Sequence, residues 1–324
     1  MKISIAMATY NGAQYIQKQL ESFIDQTIKP YEIIISDDCS TDNTLKIIND
    51  FREKVPFKVN VIVNSKNLGY TGNFNSALMN TTGDVIFLSD QDDVWYPNKI
   101  EHMLNVMEGK PNNLVYMNDA LLTDSNLNSK HLTKYGQIKS AGLSDSKFVM
   151  GCCCMVRREL LNFCLPIPFN LKGHDDWIVG IAEGIQQKYI DKTTLQYYRR
   201  HEYNESNFIA NRVKKVTKKD IWVAEFKKLF FNKNERIIKA NEFIEQHEIF
   251  LEALINIKEN IPLKYKEKFD KLLDQQNKKI ELLRLRYILR NSNIFSRIFK
   301  VIYFYFYLYN KETRLQNMLR DLIS

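Results

Sequence analysis

Short apolar runs recur along the first part of the chain, at Ile3 to Ala8, Glu32 to Ile35, Val59 to Val63 and Val85 to Leu88. Each is bounded by turn-forming residues such as Asn11-Gly12, Asp37-Asp38 and Asn67-Leu68-Gly69. Their length and near-continuous apolarity predict strands buried on both faces. Stretches of helical character separate them: Ala13 to Ile24, Thr41 to Phe51 with Ser40 as N-cap, and Tyr70 to Met79. A β-α-β-α series predicts a mainly parallel sheet covered by helices, and such sheets bind ligands beyond the carboxyl ends of their strands.

The residues following those strands are polar and acidic: Thr9-Tyr10-Asn11-Gly12 after the first, Asp37-Asp38-Cys39-Ser40 after the second, and Ser89-Asp90-Gln91-Asp92-Asp93 after the fourth. Turn formation and helix capping account for Ser40 and Thr41 as readily as ligand binding does. They do not account for Asp90, Asp92 and Asp93, because carboxylates crowded at one strand end repel unless a cation or strong donors neutralise them. A divalent metal is the economical partner. Neither Gly-x-Gly-x-x-Gly nor Gly-x-x-x-x-Gly-Lys-[Ser/Thr] follows any of these strands, which disfavours a dinucleotide dehydrogenase and a P-loop NTPase.

Composition divides the chain. The 324 residues carry a net charge of +8, yet residues 1–210 hold 21 Lys/Arg against 24 Asp/Glu, whereas 211–324 hold 25 against 14. The basicity belongs to the C-terminal third, so we expect a catalytic domain over 1–210 and a basic helical region over 211–324. The five cysteines, three of them adjacent at Cys152, Cys153 and Cys154, lack the spacing of a disulfide framework or zinc site and predict reduced, buried thiols in a cytoplasmic chain. No signal-peptide pattern precedes the first strand. The Asn-x-[Ser/Thr] matches at Asn80 and Asn204 are then chance.

Several segments together resemble the family-2 glycosyltransferases of the GT-A fold, and within them the rhamnosyltransferase-like branch. They are Ala8-Thr9-Tyr10-Asn11-Gly12, Ile35 to Asp42, Asn67-Leu68-Gly69, Gly83 to Trp95, Gly151-Cys152, His174-Asp175-Asp176-Trp177 and Tyr198-Arg199-Arg200-His201. The resemblance covers roughly residues 1–205. It implies an α/β fold, a Rossmann-like mixed sheet with a C-terminal helical extension, and inverting transfer from a nucleoside-diphosphate sugar to an acceptor hydroxyl.

Carried onto this sequence, the resemblance puts Asp38 against the pyrimidine base, with Ala8, Thr9 and Tyr10 around that pocket. Asp90-Gln91-Asp92 matches the Asp-x-Asp motif, with Asp90 and Gln91 on the donor and Asp92 holding Mn²⁺ or Mg²⁺. His201 completes the metal or diphosphate site, although Glu202 and Tyr203 depart from the family's usual Gly and Asn. Asp175 matches the general base, and Asp176, where relatives carry an aromatic, is the alternative base or a helix cap. Arg199 and Arg200 are diphosphate clamps or solvated side chains. Trp95, Gly151, Cys152 and Trp177 are expected at the sugar and acceptor pocket, with packing as the competing role for Trp95.

From Asn211 onward the chain reads as helices, including Lys264 to Leu289, with Pro262 as a break. The apolar, Tyr-rich run Val301 to Tyr309, flanked by Arg297, Lys300, Lys311 and Arg314, is far shorter than the roughly 20 residues needed to span a bilayer. It suits a contact with an anionic membrane at its inner face, or a buried helix or homo-oligomer contact. Nucleic acid is disfavoured because no binding motif accompanies the charge. The expected activity is addition of a sugar, dTDP-rhamnose being the favoured donor and UDP-hexoses the alternative, to a lipid-linked oligosaccharide or surface polysaccharide. A nucleotidyltransferase would need a Gly-rich loop after Ile3 to Ala8 that is missing, and a non-catalytic scaffold would not retain the acids and histidine together.

Overall fold

The computed structural model describes residues 1–202, 204, 206, 208–227 and 233–291, so the 301–309 run lies outside the described residues. Two compact units are present, Met1–Lys219 and Asp220–Ser324. The first contains a nine-stranded mixed sheet. Its strands are β1 (Ile3–Thr9), β2 (Glu32–Asp37), β3 (Lys58–Val63), β4 (Val85–Ser89), β5 (Val94–Trp95), β6 (Val115–Thr123), β7 (Ser129–Thr133), β8 (Cys154–Arg157) and β9 (Lys188–Arg199). The spatial order is β3-β2-β1-β4-β8-β6-β9-β5, with β7 paired to β6. Pairing is parallel from β3 to β4, antiparallel on both sides of β8, and parallel again between β6 and β9.

Helices α1 (Ile16–Ile24), α2 (Thr44–Arg52), α3 (Gly69–Met79), α4 (Lys99–Gly109), α5 (Lys134–Ser140), α6 (Arg158–Cys164) and α7 (His174–Gly184) complete this unit. Strand alternation explains why the apolar runs are unbroken. Ile3, Ile5, Met7, Ile33, Ile35, Val85 and Phe87 join one cluster with Ile16, Leu20 and Phe23 of α1 and Ile100 and Met103 of α4. The intervening Ala6, Ile34, Ile86 and Leu88 are equally buried, as are Phe74, Ala77 and Leu78 on α3 and Trp177, Ile178 and Ile181 on α7. Each such large apolar side chain contributes about 1.5–3 kcal/mol on burial.

Two helix starts differ from expectation. Helix α1 begins at Ile16 because Tyr15 and Ile16 first close a turn onto the Gly12 carbonyl. Helix α2 begins at Thr44, since Ser40 does not cap it. The Ser40 hydroxyl donates instead to Asp37 Oδ2 at 2.6 Å and accepts from the Asn11 N–H at 2.9 Å. Four cysteines are buried and free as expected, but Cys39, at a backbone φ of +66°, is only half-buried.

Helix α8 (Lys218–Lys227) crosses the boundary between the units. The second unit contains α9 (Lys233–Ile257) and α10 (Leu263–Asn291), joined through a turn at Lys258–Asn260. Leu254, Tyr265, Phe269, Leu272 and Ile280 are buried there, and Arg284 Nε and Nη2 both donate to Glu248 Oε1, at 3.0 and 2.6 Å. Among the described residues, no helix is long and apolar enough to cross a membrane.

Candidate active site

The loops after β1, β2 and β4 meet because parallel pairing puts their carboxyl ends at one edge. Asp37, wholly buried, accepts from the Thr9 hydroxyl at 2.8 Å and from the Ser40 N–H at 2.8 Å, locking the first two loops together. Asp38 follows with its N–H on the Thr9 carbonyl at 2.9 Å. Its Oδ1 accepts from Asn64 Nδ2 at 3.0 Å and from the Leu68 N–H at 2.8 Å. The carboxylate is held rigidly between three loops, beside the exposed Tyr10 and the half-buried Ala8.

Gln91 joins two of these loops. Its side-chain amide accepts from the Tyr10 N–H and donates to the Tyr10 carbonyl, both at 2.9 Å, pinning the β4 loop to the β1 loop. Gly12 permits this approach, because a Cβ there would fall 2.1 Å from Gln91 Oε1.

The acids expected to share a cation form two neighbouring groups. Asp92 Oδ2 lies 2.8 Å from His201 Nε2 and accepts from Asn204 Nδ2 at 3.0 Å. The His201 ring stacks on Tyr15 with centroids 4.6 Å apart. Behind this pair, ligand atoms of Asp90, Asp93 and Cys152 lie within 4.8 Å of one another. Burial pushes both carboxyls up, Asp93 to about 7 and Asp90 well above the carboxylate range. Repulsion from Asp92 adds to the shift, and for Asp90 repulsion from Asp93 and Asp175 as well, while hydrogen bonding from the Cys152 thiol opposes it. The Cys152 thiol is itself pushed up by burial and neighbouring acids, which makes it no nucleophile.

Sequence reasoning missed the structure beneath the acids. Lys99 is wholly buried, with Nζ 4.0 Å from the Trp95 ring centroid, donating to the Cys152 carbonyl at 2.9 Å and to Gln196 Oε1. Gln196 Nε2 donates in turn to Asp93 Oδ2 at 2.7 Å, and Asp93 Oδ1 accepts from the Arg199 N–H at 3.3 Å. This relay ties the end of β9, and so His201, to the acidic loop. A lysine four residues after a tryptophan carries no motif that would have marked it. Tyr15 and Asn204 were equally invisible, since each acts only through the fold.

The arginines are largely committed to the protein. Arg199 donates from Nε to the Asp92 carbonyl at 2.8 Å and from Nη1 to the Ser125 carbonyl, and its guanidinium lies 4.8 Å from the Tyr15 centroid. Only its buried Nη2 has no partner. Arg200 donates to the Tyr198 hydroxyl at 3.2 Å and to the Ser206 carbonyl at 2.9 Å. These contacts support loop bracing for both side chains.

Asp175 and Asp176 begin α7. Asp175 is half-buried, accepts from the Gly151 N–H at 3.2 Å through Oδ2, and lies close enough to Asp90 to raise its pKa. Asp176 is exposed, with its own N–H on Asp175 Oδ1 at 3.0 Å. The preceding His174 is buried, stacked 3.8 Å from Phe74, and kept neutral by desolvation. Gly151 is required beside it, since a Cβ would sit 2.5 Å from His174 Nε2. Of the two tryptophans expected at the pocket, Trp177 is corrected to the core, and Trp95 takes the packing role that competed with its pocket assignment. Trp177 is fully buried, donating from Nε1 to the Cys164 carbonyl at 2.7 Å, and Trp95 is 2% exposed against Phe23 and Phe87. Both are packing anchors because their indoles are covered by the helices and sheet around them.

Residues 4–164 match the family model described as glycosyl transferase family 2. The dTDP-rhamnosyl transferase RfbG of Shigella flexneri is 30% identical over 218 residues, covering 61% of this chain and 73% of that protein. The chain belongs to glycosyl transferase family 2. This family-2 enzyme is also 26% identical over 186 residues to WfgD of Escherichia coli, a UDP-Glc:alpha-D-GlcNAc-diphosphoundecaprenol beta-1,3-glucosyltransferase, covering 56% of this chain and 68% of that one. Among solved structures, S. aureus TarS 1-349 in complex with UDP superposes with a TM-score of 0.55 at 16% identity, covering 90% of this chain and 93% of TarS. The GT-A architecture is therefore shared, and the enzyme is a glycosyltransferase.

Proposed function

We propose that this family-2 enzyme is an inverting, metal-dependent glycosyltransferase that moves L-rhamnose from dTDP-rhamnose to a lipid-linked oligosaccharide or surface-polysaccharide acceptor at the inner face of the cell membrane. The arrangement around Asp90 carries the reading: the Asp92–His201 pair, 2.8 Å apart, and the Asp175 carboxylate both border that one acid. Inversion needs a proton acceptor on one side of the anomeric carbon and a stabilised leaving group on the other.

The residues present fit Mn²⁺ or Mg²⁺. Carboxylate oxygens and one imidazole are donors such ions accept, and Asp90 and Asp93, whose carboxyls are pushed up by desolvation and by repulsion from Asp92, are groups a cation would relieve. Asp92 and His201 would hold the ion, with Asp90 beside it, and the bound ion would supply a Lewis acid for charge developing on the departing diphosphate. Asp38 would accept from the pyrimidine edge, with the Ala8–Thr9 backbone as the pocket floor. Asp175 would take the acceptor proton, its oxygen oriented by the Gly151 N–H.

The rhamnose donor is supported by the likeness to RfbG, and the lipid-diphosphate acceptor by the likeness to WfgD, whose name also supports a second reading with a UDP-hexose donor. A thermal-shift panel of dTDP-rhamnose, UDP-glucose and a GDP-sugar, each with and without Mn²⁺, tests both, since a ligand selective for the folded state raises stability by RT ln(1 + [L]/Kd). The largest Mn²⁺-dependent rise is expected with dTDP-rhamnose, and it should vanish in Asp92→Asn. A rise with UDP-glucose alone would favour the second reading, and no rise with any donor would remove the proposal.

A further inference from the structure

The segment Arg212-Val213-Lys214-Lys215-Val216-Thr217-Lys218-Lys219 holds five cations and no acid. All five cationic side chains are exposed. A run of like charge is ordinarily a loose, solvated tail. Here the backbone is fastened to the catalytic unit. Gln137 of α5, 1% exposed, donates from Nε2 to the carbonyls of Arg212 and Lys214 at 2.7 and 2.8 Å, and its Oε1 accepts from the Val216 N–H at 2.9 Å. The Ser140 hydroxyl donates to the Val216 carbonyl at 2.6 Å, and Val216 is buried. One amide side chain and one buried valine hold the strap in place while its cations face water.

The strap also begins near the chemistry. Asn211, its first neighbour, accepts through Oδ1 from the buried Lys134 Nζ. The Lys134 ammonium is lowered to about 8 by burial and lies within electrostatic reach of Asp175 and Arg200. Cations on a backbone fixed in this way match the headgroup region of an anionic bilayer, where lysine stems bury against apolar surface while their charged heads meet the lipid phosphates.

We propose that the 212–219 strap is a docking surface for an anionic phospholipid bilayer, placing the membrane beside the Asp175 end of the site. It rests on the lipid-linked reading only for its purpose. The binding itself needs neither donor nor acceptor, so its failure and the failure of that reading are separately visible. The test is sedimentation of the full chain with phosphatidylcholine vesicles, with and without phosphatidylglycerol. Wild type should bind only the anionic vesicles and be released by high salt. At about fivefold per lysine near a charged surface, Lys214→Gln combined with Lys215→Gln, Lys218→Gln and Lys219→Gln should weaken binding by about six-hundredfold. An unchanged melting temperature and Mn²⁺-dependent donor shift in the variant would exclude misfolding as the cause. Equal binding by variant and wild type, no binding by wild type, or wild-type binding to duplex DNA but not to vesicles would each overturn the surface.

Discussion

Asp93 is a residue at which burial and charge conflict openly. Its folded pKa of about 7 lies above the ordinary carboxylate value of 3.8, so the folded protein binds this proton more tightly than the unfolded chain does. Its contribution to stability is therefore complete below about pH 4 and is lost as pH rises through about 7. Asp90 is shifted in the same direction. Metal-free protein should accordingly melt at lower temperature as pH is raised from 4 to 8, Asp93→Asn should flatten part of that slope, and Mn²⁺ should recover stability most at the alkaline end. Melting scans of the two proteins across this range decide it; identical slopes would mean that Asp93 ionises normally. Asp175→Asn keeps the shape of its side chain but loses the proton acceptor. Transfer is expected to fall by about 10²–10⁴-fold, the usual contribution of a general base, with the Mn²⁺-dependent donor shift retained. Activity near wild type would transfer the base role to Asp176.

At the scale of elements, the site depends on contacts between segments far apart in the chain. The start of α7 is placed by Gly151, whose N–H reaches Asp175 and whose missing Cβ admits His174. His174 cannot readily retreat, because Phe74 of α3 stacks on it. Gly151→Ala should therefore cost about 1–3 kcal/mol, as overpacking of a tight core does. It should also reduce kcat more than the donor KM, since the displaced group is the proposed proton acceptor and not the proposed nucleotide pocket. Denaturant unfolding and steady-state kinetics read the two effects, and a stable variant with wild-type kcat would contradict this account. Helix α2 makes a related point. Local composition favoured Ser40 as its cap, but the Ser40 hydroxyl binds Asp37 and the Asn11 backbone, because joining two ligand-binding loops outweighs capping one helix.

Across the whole molecule, every residue assigned to donor, metal or base lies within the unit Met1–Lys219. A bound nucleotide sugar with Mn²⁺ stabilises what it touches. Calorimetry is expected to show a melt in which one component moves upward with ligand while the component belonging to Asp220–Ser324 stays in place. A single transition that shifts as a whole would show the two units to be energetically coupled. The charge asymmetry has a similar division. Of the eleven net positive charges in 211–324, five fall in the eight residues 212–219, and the structure attaches those five to the catalytic unit.

The sequence by itself determined the parallel half of the sheet, the acidic loops at its rim and the concentration of positive charge in the C-terminal third. These follow from local periodicity, turn residues and charge, which neighbouring positions record directly. It also singled out Asp92 and His201, 109 residues apart, which the fold brings within 2.8 Å of each other. Only the tertiary structure decided that Trp95 and Trp177 are core residues, that Gln91 ties two loops, and that Lys99, Gln196 and Asp93 form a relay beneath the Asp92–His201 pair. A side chain's type says what it can bond to. Which partner it meets depends on how distant strands are brought together, and burial then sets how strongly that partner counts.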